Sequence, residues 1–184
     1  MNPLDQLISH FEKFPGVGGR QAKRFAFHVL RLEAEDSRKL ANLIENARTT
    51  VIECTSCHRY FSKRQTEELC SICNGSNRNR ERLLVVERDS DVQAIERAGV
   101  YDGLYFVLGG TVPLLSAPVN SKLRSGALKA TVATRQAEGL TEVILGFSIN
   151  PDGENTARFV ASFLNEAVES GLTLSHLGRG LSTG

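Results

Sequence analysis

The sequence predicts an α+β chain built of several modules: a small helical module, a short cysteine-bearing segment, and an α/β domain with a mainly parallel sheet. Three observations lead there. Apolar residues recur at helical spacing through the first fifty positions. The only four cysteines of the 184 residues fall together, as Cys54-x2-Cys57 and Cys70-x2-Cys73. Beyond Arg82, short β-rich runs alternate with amphipathic stretches that close on glycine. The expected divisions are 1–50, 51–81 and 82–184.

In the first division Leu4, Leu7, Ile8, Phe11 and Phe14 mark an amphipathic helix that stops at Pro15-Gly16. A second helix follows Val17-Gly18-Gly19, with Ala22, Phe25, Ala26, Val29 and Leu30 on its apolar side. A third is expected from about Asp36, as N-cap, through Leu40, Leu43, Ile44 and Ala47.

The cysteine segment is polar and has few large apolar groups, so it could hardly fold on a core of its own. Two Cys-x2-Cys turns aim four thiolates at one point, the donor set that tetrahedral Zn²⁺ takes in a structural site. Metal binding would then supply much of the folding free energy. Disulfides are the first rival. The N-terminus, Met1-Asn2-Pro3-Leu4-Asp5, shows neither a basic region nor an apolar run of the secretory kind, so a reducing cytoplasmic setting is expected. Haem is the second, because Cys54-Thr55-Ser56-Cys57-His58 matches the c-type attachment pattern. It would leave the second pair unexplained, and the only methionine, Met1, leaves no internal axial ligand. Iron in a rubredoxin-like site and free thiols are the remaining alternatives.

After this segment Leu83-Leu84-Val85-Val86 reads as a strand buried on both faces. A helix over Asp91–Ala98, a strand over Gly103–Leu108, a loop over Pro113–Asn120 and a helix over Lys122–Gln136 follow. Val143–Phe147 is a third strand, Glu154–Ser170 a long helix and Leu172–Leu177 a fourth strand. Alternation at this spacing makes a parallel sheet with helices on its faces.

Composition sets limits on function. No run approaches the ~18 apolar residues of a membrane span. Tryptophan is absent and aromatics are 7%, which argues against an extended base-stacking surface. Net charge is +1, so attraction to nucleic acid must come from local patches.

One such patch follows Pro15-Gly16-Val17-Gly18-Gly19-Arg20. A glycine-rich turn lets backbone approach a phosphate, with the next helix's amides pointing at it. From Pro15 to Leu32 the charges are Arg20, Lys23, Arg24 and Arg31, without a carboxylate. Arg20 and Arg24 share a helical face beside Lys23, which suits gripping a phosphate backbone without reading bases. A dinucleotide fingerprint fails here, since its third glycine position is Gln21 and a helix precedes it. The competing reading is an ordinary helical hairpin with a solvated basic face.

Carboxylates end two of the expected strands: Glu87 after Leu-Leu-Val-Val, and Asp152 and Glu154 after the third. Ligands of open α/β sheets bind at such ends, where acids can hold Mg²⁺. Equally, Asp152 and Glu154 would simply favour the N-terminus of the following helix. His10, His28 and His176 read as structural, and His58 as a candidate for the outer sphere of the metal site.

Taken in order, these motifs resemble the RecR family of bacterial recombination mediators over nearly the whole chain. Phe14 to Leu30 resembles that family's helix-hairpin-helix, and Gly16, Gly18, Arg20, Lys23 and Arg24 within it are the expected DNA-binding residues. The four-cysteine zinc finger, the Leu83–Glu87 strand, Gly103–Gly110 and the Gly178–Gly184 ending match as well. The sheet is then similar to a Toprim domain, with Glu87 as its glutamate and Asp152 and Glu154 as its acidic pair. The loop over Asn150–Ala157 is shorter than the family's usual stretch. The resemblance implies non-enzymatic DNA binding in recombinational repair at single-strand gaps, together with RecO and RecF, by a dimer or ring-like tetramer. The alternative class is a Mg²⁺-dependent Toprim enzyme, nuclease or primase-like; a third is a zinc-stabilised adaptor without DNA contact.

Overall fold

The structure, a computed structural model, describes residues 2–64, 66–115 and 123–178. It divides into two compact units, 1–50 and 51–184.

The first unit holds α1 (Pro3–Glu12), α2 (Gly19–Leu30) and α3 (Ala34–Thr50). Asn2 caps α1 by accepting from the Asp5 amide at 2.8 Å, and Pro3 supplies a first-turn residue that has no N–H to satisfy. Gly16 turns the chain with φ +76°, a conformation that favours glycine. The turn is closed by the Val17 amide donating to the Phe14 carbonyl at 3.0 Å. On α2 the two small residues Ala22 and Ala26 are the fully buried ones. Phe11 of α1 meets Phe25 of α2 edge-on at 5.8 Å, while Phe25 and Leu30 stay 42% and 60% exposed. The buried face of α2 is therefore narrower than its apolar spacing suggests. α3 starts earlier than Asp36, which sits in the first turn with Glu35, where the helix dipole favours acids. Its apolar row Leu40, Leu43 and Ile44 is exposed.

In the second unit, β1 (Val51–Glu53) pairs antiparallel with β2 (Tyr60–Ser62), strands too short for pattern to reveal. Then come β3 (Asn79–Val86), α4 (Asp89–Ala98), β4 (Gly103–Val107), α5 (Ser125–Ala137), β5 (Glu142–Gly146), α6 (Pro151–Glu169) and β6 (Thr173–His176). The four-stranded sheet has the order β4-β3-β5-β6 and every neighbouring pair is parallel. The apolar end of β3 (Leu83 to Val86) and all of β4 are buried, as a continuous hydrophobic run in a two-sided parallel sheet requires. β3 starts at Asn79, with a register irregularity before Leu83.

Connections leave β3 to one side for β4 and return across it to β5, so strand order reverses at the carboxyl end of β3. That reversal opens the crevice in which α/β sheets take ligands. α6 starts at Pro151, three residues before Glu154, because the Asn150 side chain accepts from the Gly153 amide at 2.8 Å and caps the helix there. Part of the Pro113–Asn120 loop and the expected helix start at Lys122 lie outside the described residues, as does most of the Gly178–Gly184 ending. Among the described residues, no helix is long and apolar enough to cross a membrane.

Candidate metal centre and nucleic-acid interface

Two tight turns carry the cysteines. After β1, the His58 amide donates to the Cys54 carbonyl at 2.9 Å, and His58 itself takes a left-handed φ of +61°. In the second turn the Asn74 amide donates to the Cys70 carbonyl at 3.0 Å, and the Cys70 amide points at the Cys54 sulfur at 3.4 Å. All four sulfurs lie within 4.8 Å of one another, and all four cysteines are buried. Cys57 and Cys70 approach to 3.6 Å between Sγ atoms. Tetrahedral Zn–S bonds of about 2.3 Å put sulfurs ~3.8 Å apart, so the donor set fits such an ion. The thiols are free of disulfides. Hydrogen bonding between the Cys54 and Cys57 thiols holds Cys54 far below its ordinary pKa and pushes Cys57 above it. A bound cation removes that conflict by taking every sulfur as thiolate.

Around the cluster runs a polar belt. The His58 Nδ1 pairs with Glu53 at 2.6 Å, and its ring stacks edge-on against Phe106 of β4 at 5.0 Å. Arg124 joins the other Glu53 oxygen at 3.1 Å and donates to the Val107 carbonyl at 3.2 Å. Burial alone would raise the Glu53 carboxyl, but the hydrogen bonds from His58 and Arg124 hold it below its ordinary value. The Val107 amide donates to the Cys57 carbonyl at 2.8 Å, and Arg135 reaches the Ser56 hydroxyl at 2.5 Å. The first cysteine turn is thereby keyed to the carboxyl end of β4 and to α5. Glu53, Arg124 and Arg135 are functional neighbours that sequence reading missed. Their partners lie 71 and 79 residues away, and no short-range pattern records such pairs.

The acids occupy the strand ends separately. Glu87 follows β3 at the strand-order reversal, is 7% exposed, and accepts the Ser148 amide at 2.8 Å. Asp152 accepts the Leu114 amide at 2.9 Å, from the first turn of α6. Glu154 lines a cavity of about 340 Å³ together with Phe147, Ser148, Ile149 and His176. Among the described residues, the cysteines are the group of three or more potential ligands gathered within 4.8 Å; Glu87, Asp152 and Glu154 are not drawn together to that spacing.

Arg20, Lys23 and Arg24 line a groove of about 470 Å³ on α2, joined by Phe27, His28 and Arg31. Among the described residues no carboxylate lines it. Among the described residues none of its four cations is ion-paired. Gly18 precedes α2 in extended conformation, and no side chain caps the helix's first amides. The hairpin thus presents free positive charge beside an uncapped helix N-terminus, the combination that receives phosphate.

A family model described as RecR, helix-hairpin-helix matches residues 4–48, and a Toprim domain model matches residues 81–178. A Herpetosiphon aurantiacus protein named Recombination protein RecR is 35% identical over 182 residues, covering 99% of this chain and 84% of that one. Proteins of the same name from Mycobacterium leprae and Rhodococcus jostii are 35% and 36% identical over 183 residues, covering 99% of this chain and 87% and 88% of theirs. With its basic hairpin, its four-cysteine cluster and its parallel sheet in this order, the chain belongs to the RecR family.

Proposed function

We propose that the chain is a non-enzymatic DNA-binding mediator of recombinational repair. It acts in the cytoplasm at the nucleoid, on single-strand gaps, with RecO and RecF. The observation that carries this is the groove on α2, which among the described residues has no carboxylate in its lining and leaves Arg20, Lys23 and Arg24 without an ion pair, with Gly16 and Gly18 shaping the turn before them. The names of its relatives support a role in recombination. Residues 1–50 serve as the DNA-binding module, 51–81 as a zinc finger and 82–184 as a Toprim-like domain. Zn²⁺ on Cys54, Cys57, Cys70 and Cys73 is structural, holding the finger to the end of β4. One hairpin touches few phosphates, and the net charge of +1 adds little long-range attraction. Useful affinity then needs several hairpins in one assembly, a dimer or a ring-like tetramer. The exposed apolar row of α3 supports such association.

The second reading, a Mg²⁺-dependent enzyme, is favoured by one observation: Glu87 lies buried at the strand-order reversal, with Asp152 and Glu154 on the next strand's helix. In the mediator reading any Mg²⁺ these acids take is bound weakly and does no chemistry.

One experiment separates them. Duplex and gapped DNA are titrated with and without Mg²⁺ across a salt series, and retention and cleavage are both scored. Arg20→Ala with Arg24→Ala is expected to weaken all sequences alike and to lower the slope of log K against log salt by roughly 2. A double mutant that binds like the wild type removes α2 as the DNA surface. Nicking or primer synthesis that is lost in Glu87→Ala establishes the enzyme. Light scattering over the same concentrations reads the assembly, and a monomer that still binds tightly refutes the multi-hairpin model.

A further inference from the structure

The groove on α2 contains an aromatic ring among its cations. Phe27 is 48% exposed there, one turn beyond Lys23 and Arg24 and one turn before Arg31. The opposite face of the same helix buries Ala22 and Ala26 completely. Phe25, two residues earlier, has Phe11 as its edge-on partner at 5.8 Å, whereas Phe27 has no ring partner among the described residues. Burying such a side chain would be worth about 1.5–3 kcal/mol, which the fold forgoes at this position.

Phosphate contacts need only the cations. In continuous duplex the base faces are covered by their stacked neighbours, so a ring on a helix surface has nothing to stack on. An unpaired nucleotide is different: its phosphate is held by the flanking cations while its base offers a free π-face. A second copy of the chain suits the groove poorly. Across a two-fold axis, Arg20, Lys23, Arg24 and Arg31 would meet their own like charges.

We propose that Phe27 is a stacking platform for an unpaired base, so that the α2 groove holds the edge of a single-stranded gap in preference to continuous duplex. The proposal rests on the reading of α2 as the DNA surface and names which DNA that surface selects.

The test uses the full chain with three DNAs: continuous duplex, single strand, and duplex interrupted by a short gap carrying 2-aminopurine. The wild type is expected to bind gapped DNA more tightly than duplex and to change the 2-aminopurine fluorescence. Phe27→Leu, which keeps the apolar volume, is expected to lose about tenfold more affinity for gapped DNA than for continuous duplex. Phe27→Tyr should restore the preference. Equal gapped binding by Phe27→Leu and wild type, with duplex binding intact, overturns the stacking role and leaves the α2 reading standing. Loss of both DNAs together with a smaller species in light scattering makes Phe27 an assembly residue and also overturns it. If Phe27→Leu does not fold, the wild type still decides: unchanged 2-aminopurine fluorescence at saturation sinks the proposal. Duplex binding indifferent to Arg20→Ala with Arg24→Ala fails the underlying reading instead.

Discussion

Cys70→Ser is expected to abolish tight metal binding and to unfold the cysteine segment while the parallel sheet persists. The segment has little else to hold it. β1 and β2 are three residues each, and apart from the cysteines Ile72 is its only buried hydrophobic side chain among the described residues. Apparent binding energies of structural zinc sites are on the order of 10–16 kcal/mol, comparable to the net stability of a whole domain. A hydroxyl at position 70 leaves three thiolates in a buried site built for four, so the site loses affinity and retains uncompensated charge. The damage should reach the sheet at one place. Cys57 accepts the Val107 amide at 2.8 Å and His58 stacks on Phe106, so the carboxyl end of β4 loosens when the turn does. Metal analysis should fall from about one ion per chain to near zero, and limited proteolysis should open the stretch around Lys63 and Arg64. Chelation of the wild type should reproduce both. Retained stoichiometry, with the segment still protected, would show that the cluster does not depend on its fourth sulfur.

Much of this was legible in the sequence because it is written locally. Two Cys-x2-Cys turns converge whatever surrounds them, and Leu83-Leu84-Val85-Val86 has the texture of a strand covered on both faces. The basic run from Arg20 to Arg31 lies on one exposed helix, so spacing alone places it. What escaped is what only the fold can bring together. Glu53 and Arg124 stand 71 residues apart in the chain, and Ser56 and Arg135 stand 79 apart. On α2 the spacing puts Ala22, Phe25, Ala26, Val29 and Leu30 on one apolar side, yet only Ala22 and Ala26 are fully buried, because close approach of helices selects small side chains. The carboxylates at the strand ends illustrate the remaining ambiguity. Sequence pattern treats Glu87, Asp152 and Glu154 as one group, whereas the Ser148 and Leu114 amides engage Glu87 and Asp152 individually.

Gly153→Ala is expected to destabilise the protein by about 3 kcal/mol, although helix propensity points the other way. Gly153 lies in the first turn of α6, where alanine would normally gain up to ~1 kcal/mol over glycine. Here an added Cβ would stand 2.0 Å from the Ser148 carbonyl oxygen and 2.9 Å from its carbon. Those are backbone atoms and have no rotamer to change, so the strand-to-helix loop must move away from α6. Two hydrogen bonds depend on that contact. The Gly153 amide donates to the Asn150 side chain that caps α6, and the Ser148 amide donates to the buried Glu87. Losing the cap costs about 1 kcal/mol, and leaving a buried carboxylate short of a donor costs about 1–3 kcal/mol. These overlap with the steric cost and do not add to it in full. Gly126 provides the control: it is also helical, in α5, but among the described residues nothing lies within 4 Å of its added Cβ. Gly126→Ala should therefore be stabilising by roughly 0.5 kcal/mol, as propensity alone dictates. Urea unfolding of the two variants beside the wild type measures both signs. If Gly153→Ala stabilises as Gly126→Ala does, the close packing of α6 against Ser148 is wrong, and with it the positioning of Glu87, Asp152 and Glu154 at the carboxyl end of the sheet.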